Sequence, residues 1–201
     1  MSVVFGNRWI TLCYPLLIII LIARGPAVGP PFSKIQVQNQ LINMKVLILH
    51  ALESTTPFSI RTDKALSAAL EFAGISIRKQ FYEFIDLRRN PGTEHSRHFA
   101  ELLQLRYGRR NIDAVITMYP EALQFMLNED RTIFPDAPVL ALYLPIGFEL
   151  PATSRRFIRQ FIVPDLTGTL DIALTMLPKT KRVYVVSGAH TIDRWFEDRA
   201  C

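Results

Sequence analysis

The chain has 201 residues, 23 of them basic and 18 acidic, and 49% are apolar. That length accommodates one full domain core and part of another. Charged residues at 20% with a net charge of +5 exclude a disordered chain, and two cysteines (Cys13 and Cys201) exclude a disulfide framework, a zinc ribbon and an iron–sulfur cluster.

The basic surplus does not mark a nucleic-acid arm. Arg8, Arg24 and Lys34 precede Met44 with no acidic residue among them, so the rest holds 20 basic and 18 acidic residues. The pairs Arg88-Arg89, Arg109-Arg110 and Arg155-Arg156 are scattered rather than clustered, and no nucleic-acid partner is expected.

The chain opens with an uncharged run from Leu12 to Ala23 (LCYPLLIIILIA), with Arg8 before it and Arg24 after it. It is short for a membrane span, which needs about 20 residues. It fits the apolar region of a secretory signal. Gly25-Pro26-Ala27 is only a loose cleavage site, so residues 1–27 read either as a cleaved signal peptide or as an uncleaved signal anchor. A buried core helix is the bland alternative, disfavoured by Pro15 and by the GPAVGPP that follows. Residues 28–43 read as a tether. The expected location is the inner membrane facing the periplasm, or the periplasm itself if the signal is removed.

Met44–Leu49 (MKVLIL) is the first strand. Thr62–Ala73 repeats Ala65, Leu66, Ala69, Leu70 and Ala73 at helical spacing, with Thr62 as N-cap and Gly74 as the stop. Ile75–Ile85 is rich in strand formers. Thr93–Tyr107 is a second helix, closed by Gly108, and Asp113–Met118 a third strand. Pro120–Asn128 is a short helix. Pro138–Leu144 and Phe157–Val163 are the fourth and fifth strands, Leu166–Leu177 is a helix ended by Pro178, and Arg182–Ser187 is a sixth strand before a helix opening at Gly188. Strands alternating with helices predict an α/β fold, a doubly wound parallel sheet with helices on both faces.

In such sheets ligands sit beyond the carboxyl ends of the strands, where the strand order switches. The candidate ligand-binding residues are therefore His50, Glu53, Thr55 and Phe58 after the first strand, and Asp86 after the second. Tyr119 and Glu121 follow the third, Tyr143 the fourth, and Ser187 and His190 the sixth. Phe58, Tyr119 and Tyr143 would supply apolar area to a small molecule. The turn after Leu49 lacks glycine, so neither a dinucleotide fingerprint nor a P-loop is available, and no cofactor is expected. Glu94, His95, His98 and Glu101 could ligate a metal, but they fall mostly on the polar side of their helix and read as a solvated face. Ser187-Gly-Ala-His190 lacks the first glycine of a nucleophile elbow. An enzyme on this fold would draw its acid, base or nucleophile from His50, Asp86, Glu121 and Ser187, with Glu53 and Asp86 the acid–base pair to weigh.

Five segments carry a family resemblance: KVLILH at 45–50, YEFIDL at 82–87, DAVI at 113–116 with Tyr119 beyond it, FPDAPV at 134–139, and VVSGA at 185–189. Together they resemble the extracytoplasmic binding-protein-like region of bacterial sensor proteins, and the related substrate-binding components of ABC transporters. The likeness spans residues 44–199. It implies a type I periplasmic-binding-protein fold with two flavodoxin-like lobes, the first at 44–163 and an incomplete second one at 164–201. It implies a small-molecule ligand, an inner-membrane association through the N-terminal segment, and either a downstream histidine kinase module or a permease as partner. The chain itself would then be no enzyme, any kinase module lying beyond residue 201. The sensor of a two-component system is the leading expectation, the transporter component and an enzyme its alternatives.

Overall fold

The structure, a computed structural model, describes residues 41–128, 133–149, 155–162, 165–186, 188, 193–194 and 197–198. The predicted signal or anchor at 1–27 and most of the predicted tether lie outside these residues. Among the described residues no helix is long and apolar enough to cross a membrane.

Strand β1 (Val46–His50) has all five residues buried, as its unbroken apolar run requires of a strand covered on both faces. Helix α1 spans Pro57–Phe72 and so begins five residues before the Thr62 start expected from apolar spacing. The reason is the Thr56-Pro57 pair. The Thr56 side chain accepts from the Ser59 N–H at 3.0 Å. Pro57 has no N–H to leave unsatisfied and its ring pre-sets helical φ. The far end closes as expected, with Gly74 at φ +97° donating to Glu71 O at 2.9 Å.

A 3-10 turn at Ile77–Lys79 leads into β2 (Gln80–Phe84). Helix α2 (Thr93–Tyr107), β3 (Ala114–Met118), α3 (Tyr119–Asn128), β4 (Val139–Pro145), β5 (Phe157–Ile162) and α4 (Leu166–Met176) follow. The elements from α2 onward lie within a residue or two of the expected bounds, whereas β2 begins five residues after the expected Ile75 start because Ile77–Lys79 forms the 3-10 turn.

The five strands form one parallel sheet in the order β2-β1-β3-β4-β5. Its register sets His50 level with Phe84 on one side and with Met118 on the other. Alternation sorts the side chains onto two faces. On one, Val46, Ile48, Ala114, Ile116, Met118, Leu140 and Leu142 pack with Leu66 and Leu70 of α1. On the other, the ring of Phe81, in register with Leu47, lies 5.3 Å from Tyr107 of α2. The α2 residue Phe99 in turn meets Phe125 of α3 at 5.8 Å. Helices thus cover both faces, and the fold is α/β and doubly wound.

Beneath α2 the carboxylate of Glu83, on β2, is buried. It accepts the Tyr107 hydroxyl at 2.5 Å and Arg106 Nη1 at 2.8 Å to both of its oxygens. A buried carboxylate needs such partners.

The chain divides into two compact units, the first holding described residues 41–143 and 155–160, the second 144–149 and those from 161 onward. The second unit contains α4, none of whose residues is buried. The predicted sixth strand does not form over its described residues, 182–186, which carry no strand. Val183, Tyr184, Val185 and Val186 are all exposed there. The apolar β-forming composition is present, but a strand needs a neighbour to take its N–H and C=O groups, and among the described residues none pairs with this segment.

Candidate functional site: an aromatic groove at the carboxyl edge of the sheet

The strand order places the topological switch between β1 and β3, whose outgoing connections run to opposite sides of the sheet. Three of the sequence-predicted residues meet beside it. The Phe58 ring lies 5.0 Å from Tyr119 and 5.0 Å from Tyr143, and the two tyrosines lie 5.8 Å apart. The Phe58–Tyr143 pair is edge-on at 80°, an arrangement favoured by ring quadrupoles. These rings come from the first turn of α1, the start of α3 and the end of β4, so only tertiary structure assembles them.

The backbone here is unusual. Tyr119 has φ +74°, Tyr143 φ +60° and Asp86 φ +57°. Left-handed conformations cost a non-glycine residue on the order of 1–2 kcal/mol, and such residues gather at ligand sites. All three follow or end strands at this one edge. Burial pushes the Tyr119 hydroxyl up to about 12, helped by Tyr143 and by the Glu121 carboxylate and opposed by Arg88. The hydroxyl therefore remains a protonated donor at neutral pH.

Against this cluster lies an open groove of about 480 Å³, lined by Pro57, Phe58, Arg61, Thr62, Ala65 and Tyr143. That volume falls within the range of small-molecule sites. Helix α1 supplies five of the six lining residues, and its start at Pro57 brings Phe58 and Arg61 to the groove one turn apart.

His50 is not in the groove. It is 1% exposed, stacks on Phe84 at 4.6 Å and places Nε2 2.7 Å from Asp63 Oδ1 of α1. The two atoms are close enough for an ion pair but not aligned for a hydrogen bond. This contact ties the end of β1 to the second turn of α1.

Glu53 and Asp86 do approach one another through a shared cation, Arg89, at 3.3 and 3.5 Å. Thr55 is exposed in the turn before α1. Glu121 is half-buried in the first turn of α3. Ser187 and His190 lie outside the described residues.

The Glu94, His95, His98 and Glu101 group divides. His95 Nε2 sits 2.6 Å from Ile85 O, whereas Arg97 engages both His98 and Glu101. Among the described residues no group of three or more such side chains is placed to hold a metal.

Sequence reading missed Pro57, Arg61, Thr62 and Ala65 as groove residues. The signal that finds them is Thr56-Pro57, an N-cap followed by proline at the first helical position. No family model matches the chain, and a search of curated proteins finds no match.

Proposed function

We propose that the chain is an extracytoplasmic small-ligand-binding domain of the sensor type, whose ligand seats in the groove beside Phe58, Tyr119 and Tyr143. The observation that carries this reading is the assembly of those three rings at the switch point of a parallel sheet, two of them, Phe58 and Tyr143, lining a groove of about 480 Å³. Its chemistry is binding: rings supply desolvated apolar area, and Arg61 and Thr62 supply polar contacts at the rim. The left-handed tyrosines support it further, because pre-organised backbone lowers the ordering cost of binding.

The apolar run between Arg8 and Arg24 supports export or anchoring, and with it the sensor over an intracellular role. Signalling would follow from a ligand that favours one conformation over another. A histidine kinase module or a permease would be the partner that reads it. The enzyme reading is weaker because His50, the one imidazole among its described candidates, is 1% exposed and set against Asp63.

The test is a thermal-shift panel of small aromatics, sugars and amino acids on the full chain, repeated with Phe58→Ala after circular dichroism has verified its fold. The reading expects one class to raise the Tm of the wild type and not that of the variant. Stabilisation by no class, or equal stabilisation of both proteins, overturns it.

A further inference from the structure

We propose that the groove selects small aromatic anions, carboxylates in particular, over aromatic amines and zwitterions. The inference rests on the binding role proposed above and narrows it to a ligand class. Among the six described lining residues only Arg61 carries a charge, and none is a carboxylate. Arg61 is exposed. Among the described residues it has no hydrogen-bond or ion-pair partner, so its five N–H donors face solvent over the groove.

Three acidic side chains on the neighbouring elements are already engaged. Asp63 follows the lining residue Thr62 but is held 2.7 Å from His50, and Glu53 and Asp86 flank Arg89 at 3.3 and 3.5 Å. The Glu121 carboxylate that acts on Tyr119 is opposed there by Arg88, so an ammonium ligand would meet the Arg61 guanidinium with no carboxylate among the described lining residues. A carboxylate would meet a planar fork able to take it in two parallel hydrogen bonds.

The apolar half of the ligand is set by the rings. Phe58 and Tyr143 both line the groove, edge-on to each other at 5.0 Å. A ligand ring entering the groove can add to that pair by the offset or edge-on contacts that aromatic rings favour. Phe58 and Arg61 are three residues apart on α1, neighbours on one helix surface. A ligand with a ring at one end and a carboxylate one or two bonds away matches that spacing.

The experiment is an NMR titration of the full chain with phenylacetate, its near-isosteric neutral amide phenylacetamide, the cation phenethylamine and the zwitterion phenylalanine, four probes that share a benzyl group. Wild type is compared with Arg61→Met, which keeps the aliphatic stem, and with Phe58→Leu. The expected result is phenylacetate binding roughly tenfold tighter than the neutral amide, and the amine weakest. The advantage of the acid shrinks as salt is raised. In Arg61→Met the acid and amide bind alike. In Phe58→Leu all probes weaken together and the acid keeps its lead. Equal binding of acid, amide and amine to the wild type overturns the selectivity while leaving the groove a ligand site. Binding of none of the four overturns the selectivity, and failure of the wider panel as well overturns the binding role.

Discussion

Replacing Thr56 by alanine tests how α1 is started and therefore how the groove is held open. The Thr56 hydroxyl accepts the Ser59 N–H at 3.0 Å and lies 2.7 Å from the Ser59 hydroxyl, which itself donates to Glu53 O at 3.0 Å. Ser59 is fully buried, so water cannot replace the lost acceptor. Losing an N-cap side chain costs about 0.5–2 kcal/mol. Burial of the orphaned N–H puts this site in the upper half, about 1.5 kcal/mol. For a chain of this size that lowers Tm by roughly 3–6 °C. Thr56→Ser keeps the oxygen and is expected to stay within about 0.5 kcal/mol of wild type. The assay is urea denaturation followed by far-UV circular dichroism, with thermal melts in parallel. Phe58 and Arg61 stand in the first two turns of this helix, so Thr56→Ala also weakens aromatic ligands in the groove. An unchanged midpoint in Thr56→Ala, or a Thr56→Ser variant as unstable as the alanine one, refutes the capping argument.

Three further outcomes follow from the core. Tyr107→Phe, which removes a hydroxyl donating at 2.5 Å to buried Glu83, is expected to cost about 2 kcal/mol, whereas Arg106→Ala costs under about 1 kcal/mol because the half-exposed guanidinium is replaceable by water; denaturant midpoints that reverse this order contradict it. Burial pushes Tyr82, Tyr107 and Tyr119 each up to about 12 from 10.0. The folded state then holds more protons than the unfolded one between those values, so stability is complete below pH 10 and declines as pH rises towards 12; absorbance at the tyrosinate wavelength should show three of the tyrosines ionising late, together with unfolding. Leu70→Ala, at a fully buried position of α1 against the sheet, is expected to cost about 2–5 kcal/mol in a denaturant titration, and a cost below 1 kcal/mol would mean that α1 is not seated on that face.

Much of this architecture is legible in the sequence because its strands are short unbroken apolar runs. Met44–Leu49 and Asp113–Met118 read as strands covered on both faces, and the strands that form, Val46–His50 and Ala114–Met118, are buried throughout. The helix limits were legible where glycine or proline marks them, as at Gly74, and misplaced where apolar spacing outweighed a cap, as at Thr62. Arg182–Val186 shows the reverse failure: β-forming composition states a preference for a ladder but not the presence of a neighbour to complete it. Phe58, Tyr119 and Tyr143 could be named from their places after strands, since the sheet forces such residues to one edge. That they touch, and that Arg61 stands beside them, depends on the rotation of α1. Asp63 was likewise invisible as the partner of His50, because that contact depends on how α1 seats against the end of β1.

The most direct test of a ligand groove at this edge is an aromatic-proton NMR titration of the full chain with phenylacetate, with Phe58, Tyr119 and Tyr143 assigned by single substitution. Saturable shifts concentrated on these three rings, and absent in Phe58→Ala, are the predicted result. Shifts that do not saturate, or that centre on residues away from the three rings, would contradict it.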